Sequence, residues 1–125
     1  MNLFQSGPVM LASGELSGFK IECDALSPRD WGCLAFMAVS LLPDFGEVVG
    51  VPRGGDMFAK ALSMWITKGP RLVCDDVFTT GASIAKYMGE GDLGVVAFAR
   101  NPPPPTIVPV FLYGAYSAKK LLEVE

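Results

Sequence analysis

The chain of 125 residues contains no histidine. That argues against a zinc centre, a Ser-His-Asp triad and a Cys-His dyad. Cysteine is scarce: Cys23, Cys33 and Cys74 are odd in number and fit no metal-ligand spacing. They are expected to be buried, reduced thiols suited to a reducing compartment. Long apolar runs are missing too. The longest candidate, WGCLAFMAVSLL at 31–42, falls short of the roughly 18 to 20 residues that span a bilayer and reads as a core helix. The opening MNLFQSGPVM lacks the basic start and continuous apolar stretch of a signal peptide. Excess positive charge is absent: the net charge is −3 and the pI near 4.9. This argues against a broad nucleic-acid footprint but leaves a local basic pocket open. There is no GK[ST] and no GxGxxG, so neither a Walker loop nor a dinucleotide fingerprint is present. A single cytoplasmic domain over 1–125, with one core and no membrane or nucleic-acid partner, is the expectation.

What is present is apolar and ordered. Half of the residues are hydrophobic and the mean hydropathy is +0.37. FKIECDAL at 19–26 alternates apolar and polar, which predicts a short strand. Ser27, Pro28 and Asp30 form a helix start: a capping hydroxyl, a proline at the first position and an acid at the positive end. The helix should run to about Leu42, where Pro43 stops it. Trp31, Leu34, Ala35, Ala38, Leu41 and Leu42 recur at helical spacing and are expected to face the core. EVVGV (47–51), RLVCD (71–75) and LGVVAFA (93–99) predict buried strands, and IVPVFLY (107–113) a last strand put at an edge by Pro109. DMFAKALSMW (56–65) and GASIAKYM (81–88) predict the intervening helices. The sum is an α/β fold: a parallel sheet with helices on both faces. The loops PRGG, DDVFTTGAS and RNPPPP each follow a strand, so all three gather at the carboxyl edge of the sheet, where such folds bind ligands.

The stretch RLVCDDVFTTGAS (71–83) concentrates the chemistry. TTGAS opens a helix after a strand, so its amides can converge on an anion. Gly81 permits close approach, and Thr79, Thr80 and Ser83 add hydroxyl donors. Directly before them Asp75 and Asp76 offer acceptors only. Two acids beside an anion cradle make sense if they accept hydrogen bonds from a vicinal diol. A ribose 5-phosphate presents such a diol at that reach from its phosphate.

LVCDDVFTTGAS resembles the signature of the type I phosphoribosyltransferases, an apolar strand followed by DD, two positions and TTG-x-S. VVGVPRGG (48–55) resembles the pyrophosphate loop that follows the first core strand of that family. The resemblance implies transfer of ribose 5-phosphate from phosphoribosyl pyrophosphate to a nitrogenous base, with Mg2+ held mainly by substrate oxygens and water. It implies that Asp75 and Asp76 hold the ribose hydroxyls and that Thr79, Thr80, Gly81, Ala82 and Ser83 surround the 5-phosphate. Arg53, Gly54 and Gly55 would meet the diphosphate, and the Arg53 guanidinium would complement its charge. FQSGPVMLASGELSGFKIECDAL (4–26) is similar to the opening of orotate phosphoribosyltransferases, which forms a small hood over the base. On that likeness the backbone at Lys20 and Ile21 and the side chain of Arg100 would contact orotate, and a homodimer is implied.

The chain departs from the family in two places. Ala12 stands where orotate enzymes usually have a lysine. Only 19 residues separate Gly55 from Asp75, where the family inserts a strand and a long hairpin that closes over the site. Lys68 is the remaining candidate for the hairpin's basic residue, and a solvated turn lysine is the plainer reading. Three alternatives follow: an orotate phosphoribosyltransferase, an enzyme acting on another base, and a phosphoribosyl pyrophosphate- or nucleotide-binding module that does not turn over.

Overall fold

The structure, a computed structural model, describes residues 2–10 and 16–113, with 6–10 and 16–20 described by their backbone. Two antiparallel strands, β1 (Phe4–Met10) and β2 (Leu16–Ile21), form a separate small sheet. A 3-10 turn at Cys23–Ala25 leads into α1 (Pro28–Leu41). Then come β3 (Glu47–Gly50), α2 (Asp56–Leu62), β4 (Arg71–Phe78), α3 (Ala82–Ala85), β5 (Leu93–Ala99) and β6 (Ile107–Leu112). The last four strands form one parallel sheet in the order β3-β4-β5-β6. β1 was not foreseen: Gly7 and Pro8 interrupt any alternation in FQSGPVM, and its register slips between Ser6 and Val9. Ala12 lies outside the described residues.

Local chemistry accounts for α1. The Ser27 hydroxyl accepts from the Asp30 amide at 3.1 Å, and the Asp30 carboxylate accepts from the Ser27 amide at 2.9 Å. This reciprocal pair satisfies two donors that a helix start leaves open, and the bonds from Ser27 hold the Asp30 carboxyl below its ordinary pKa. Trp31, Leu34, Ala35 and Ala38 are buried as the spacing predicts, but Leu41 is 53% exposed. Leu41 is the last residue of α1, and the Leu42 amide closes the helix end with a bond to Val39 O at 3.4 Å. Cys33 is also exposed, between two core positions on the outer side of the helix; only Cys23 and Cys74 are buried.

The strands separate two cores. On one face Leu72, Cys74, Val95 and Ala97 pack under α1 and α2, with Trp31, Phe58 and Leu62. On the other, Val73, Val96, Ala99 and Ile107 pack with Val51, Phe78 and Ile84 of the neighbouring loops and α3. Alternation along a strand assigns neighbours to opposite faces. The second face is thinly covered, because α3 is a single turn rather than the helix expected over 81–88. Gly89 and Gly91 follow closely, and the tie of Arg71 to Asp92 (Nε to Oδ2, 3.0 Å) and to the Tyr87 carbonyl (3.0 Å) folds the segment into a turn instead. α2 likewise stops at Leu62 and finishes as a 3-10 turn at Ser63–Trp65. β6 is the edge strand, as Pro109 requires. Among the described residues no helix is long and apolar enough to cross a membrane.

Phe58 is fully buried, its ring centroid 5.4 Å from that of Trp31. Phe58→Ala should lower the unfolding free energy by roughly 3–5 kcal/mol. Ser27→Ala should cost about 1 kcal/mol through the lost cap. Urea titration followed by Trp fluorescence measures both.

Candidate active site

β3 ends under a tight loop. The Val51 amide donates to the Cys74 carbonyl at 2.8 Å, the Gly55 amide to the Val51 carbonyl at 2.7 Å, and the Asp56 amide to the Arg53 carbonyl at 3.1 Å. These bonds tie residues 51–56 to β4 and leave Arg53 exposed. The Pro52–Arg53 peptide bond is cis. Gly54 is required by contact: a Cβ there would lie 2.7 Å from the Asp76 carboxyl carbon. The loop and the acid therefore touch without an intervening side chain. Gly55 is buried beneath the loop.

β4 continues past its two acids, pairing Val77 with Phe98 and Phe78 with Ala99 of β5. Asp75 and Asp76 thus lie inside the strand's carboxyl half, not beyond its end. The sequence suggested an end at the acids because the apolar run stops there. β5 supplies the missing constraint, since its partners extend to Ala99. Asp75 is only 5% exposed and is the buried charged residue among those described. The Asp76 amide donates to its Oδ1 at 2.8 Å, and the Val77 amide donates to Asp76 Oδ1 at 2.7 Å. Burial first, then the hydrogen bond and charge of Asp76, push the Asp75 carboxyl well above the ordinary carboxylate range.

After Phe78 the chain turns through residues 79–83. Gly81 has φ +85°, a left-handed conformation, and a Cβ there would lie 2.7 Å from the Phe78 ring; both facts demand glycine. The Asn101 side-chain amide donates to the Thr79 carbonyl at 2.8 Å and the Arg100 amide to the Phe78 carbonyl at 2.8 Å. Thr80 Oγ1 accepts from the Ala82 amide at 3.3 Å. The Thr80, Gly81 and Ser83 amides donate to no acceptor among the described residues. Because α3 is one turn long, these individual amides and hydroxyls, not a helix dipole, would meet an anion.

The three segments enclose one open cavity of about 430 Å³. Ile21, Arg53, Gly54, Asp75, Asp76, Thr79 and Ser83 share its wall. Thr80, Gly81 and Ala82 line a smaller recess continuous with it through Asp75, Thr79 and Ser83. Lys20 sits in β2 opposite Gln5, one residue before Ile21. Arg100 is not on the wall. It hydrogen bonds Tyr113, which is. Burial raises the Tyr113 hydroxyl's pKa and Arg100 opposes that shift. Tyr113, Glu22, Cys23 and Asp24 are wall residues that the sequence did not disclose. Tyr113 had a signal: it follows the end of a parallel strand, as the other loops do. The Cys23 thiol is held protonated, chiefly by burial and next by the Asp76 charge, so it is no nucleophile.

Lys68 lies in the turn before β4, at the amino edge of the sheet. Five strand residues, roughly 17 Å, separate the start of β4 from Asp76. Lys68 is a solvated turn residue and does not reach the cavity. Between Gly55 and Arg71 the chain forms only α2, the 3-10 turn and the bend into β4; this segment contributes no hairpin to the site.

Asp75 binds its proton more tightly folded than unfolded. The stability this gives is whole below the unfolded pKa of about 4 and is lost as pH rises through the raised folded value. The ligand-free protein should therefore lose stability relative to Asp75→Asn as pH rises from 4, by up to roughly 1.4 kcal/mol per pH unit, with the difference vanishing near pH 4. Urea melts of both proteins across pH 4–9 check this.

No family sequence model and no curated protein sequence matches the chain. Solved structures do. Orotate phosphoribosyltransferase from Aeropyrum pernix superposes over 98% of this chain and 92% of its own, with TM-score 0.69 and 22% identity. The UMP synthase of Leishmania donovani matches over 98% of this chain and 38% of its own, with TM-score 0.71 and 16% identity. Orotate phosphoribosyltransferase from Mycobacterium tuberculosis H37Rv, solved with Fe(III) dicitrate, matches over 90% of each chain, with TM-score 0.61 and 16% identity. The four-stranded parallel sheet, its helices and the small antiparallel sheet before them are those of the type I phosphoribosyltransferase fold, as found in orotate phosphoribosyltransferases.

Proposed function

We propose that the chain binds phosphoribosyl pyrophosphate and transfers its ribose 5-phosphate to orotate, forming orotidine monophosphate and pyrophosphate. One observation carries the reading: Arg53, the Asp75–Asp76 pair and the 79–83 loop converge on a single cavity at the carboxyl edge of the sheet. The loop's amides and hydroxyls hold the 5-phosphate. Asp76, and Asp75 beneath it, accept from the ribose 2- and 3-hydroxyls and fix the sugar. Arg53 complements the diphosphate as the C1–O bond breaks and the C1–N bond forms. The proton of the ring nitrogen passes to water. Arg100 lies off the wall but hydrogen bonds Tyr113, which is on it; its guanidinium would orient the base by pairing with the base's carboxylate.

Asp75 and Asp76 are hard oxygen donors on the cavity wall and would stand near a Mg2+ held chiefly by substrate oxygens and water. When bound, the ion supplies charge neutralisation for the diphosphate. The cavity wall carries Glu22, Asp24, Asp75 and Asp76 against Arg53, an acidic balance that supports a cation accompanying the diphosphate.

The open site favours a second reading, a module that binds the sugar phosphate with little turnover. Nothing between Gly55 and Arg71 can close over the cavity, and closure is what keeps water from an oxocarbenium-like ribosyl centre. Orotate absorbance, followed with protein, Mg2+ and phosphoribosyl pyrophosphate, separates the two: loss of signal supports transfer, and no loss with calorimetric binding of the sugar phosphate supports the module. In either case Asp75→Asn with Asp76→Asn should weaken that binding by roughly 30-fold or more, since a hydrogen bond to a charged carboxylate contributes about 1.5–3 kcal/mol and one to a protonated carboxyl about 0.5–1.5 kcal/mol. Unchanged binding would remove the aspartates from the site.

A further inference from the structure

Tyr113 shares the cavity wall with Ile21 and Glu22, and the sheet holds it there. Its amide donates to the Ala99 carbonyl at 2.8 Å. The N–H of the same peptide unit, on Arg100, donates to the Phe78 carbonyl at 2.8 Å. The Ala99–Arg100 peptide thus ties the end of β6 to the end of β4. The next side chain, Asn101, donates to the Thr79 carbonyl at 2.8 Å. The Tyr113 ring packs against the core beneath α1, and its hydroxyl is joined to Arg100. The sense of that bond is dictated by chemistry. A guanidinium donates and does not accept, so the Tyr113 oxygen is the acceptor and its own proton is turned away from Arg100. The hydroxyl also feels the charge of Asp76, another wall residue. The order is cavity, then hydroxyl, then guanidinium.

We propose that the Tyr113 hydroxyl, backed by Arg100, is the group that reads an anionic oxygen on the base, and that it sets a preference for a carboxylated pyrimidine over the same ring without the carboxylate. This rests on the function proposed above and names the residue that touches the base there. Arg100 is the positioning residue of the pair: its charge reaches the ligand through the hydroxyl. The wall explains why such a relay is needed. Glu22, Asp24, Asp75 and Asp76 stand against Arg53, so a second anionic group entering the cavity meets repulsion unless its contact point is positively polarised. A phenol that accepts from a cation is a stronger donor than a phenol alone. A hydrogen bond to a carboxylate is about twice as strong as one to a neutral carbonyl. The pair therefore discriminates by the charge of the acceptor, and a neutral oxygen at the same place gains less.

Calorimetry of the full chain with Mg2+ compares orotidine monophosphate with uridine monophosphate, which lacks the carboxylate. The unaltered chain should bind the first roughly tenfold more tightly. Tyr113→Phe keeps the ring, removes the hydroxyl and should bring that ratio close to one. Arg100→Gln should also reduce the ratio. The double variant should lose no more than Tyr113→Phe alone, because the two residues act as one unit; a merely structural role does not produce that non-additivity. Circular dichroism checks that each variant is folded. Equal losses for both nucleotides, additive losses in the double variant, a full ratio retained in either single variant, or a ratio near one in the unaltered chain would each overturn the proposal while binding of phosphoribosyl pyrophosphate stands. If the unaltered chain binds no phosphoribosyl pyrophosphate, the function proposed above falls and takes this assignment with it.

Discussion

The constraint on which the rest depends is the burial of Asp75 in a central strand. β4 is flanked on both sides by hydrogen-bonded neighbours, and its acids stand where a fold would ordinarily place another valine. A carboxylate in that position is disfavoured by desolvation and by the adjoining acid. It is tolerated because the strand's own amides turn inward to it, Asp76 N to Asp75 and Val77 N to Asp76. Those bonds cost the ladder nothing that β5 does not resume at Val77. The Asp75 carboxylate is thereby in an electrostatically unfavourable setting, which a hydrogen-bond donor would ease and an apolar group would not.

The elements that rest on strong local rules were legible. Ser27, Pro28 and Asp30 announced α1, and the reciprocal bonds are present. The continuous apolar runs announced β3, β4 and β5, and with them the edge at which the loops meet. The motif residues were legible because their chemistry is local: Gly81 must be glycine for its φ and for the Phe78 ring. What stayed hidden depends on distant partners. β4 runs on through its acids because β5 is long enough to pair with it. Leu41, the last residue of α1, is exposed although the spacing puts it on the buried stripe. Tyr113 joins the wall and hydrogen bonds Arg100, because β6 is parallel to β5 and ends at the same edge. None of these is written in a window of ten residues.

The short passage from Gly55 to Arg71 separates binding from protection. The fold brings the acids, the arginine and the loop together with elements that lie outside that passage, so their arrangement does not depend on a cover. Exclusion of water does not follow from the same elements. Holding groups in place and shielding them are distinct physical tasks, and among the described residues only the first has segments assigned to it.

The Phe78–Ile84 segment closes the second hydrophobic core with one face and lines the recess beside the cavity with the other. Because α3 is a single turn, no spare scaffolding lies between the two. Any substitution there is tried twice, once by the oily layer beneath and once by the shape of the recess above. This corner of the chain consequently has the least latitude for sequence drift, and a swap that improved only one side would be resisted by the other.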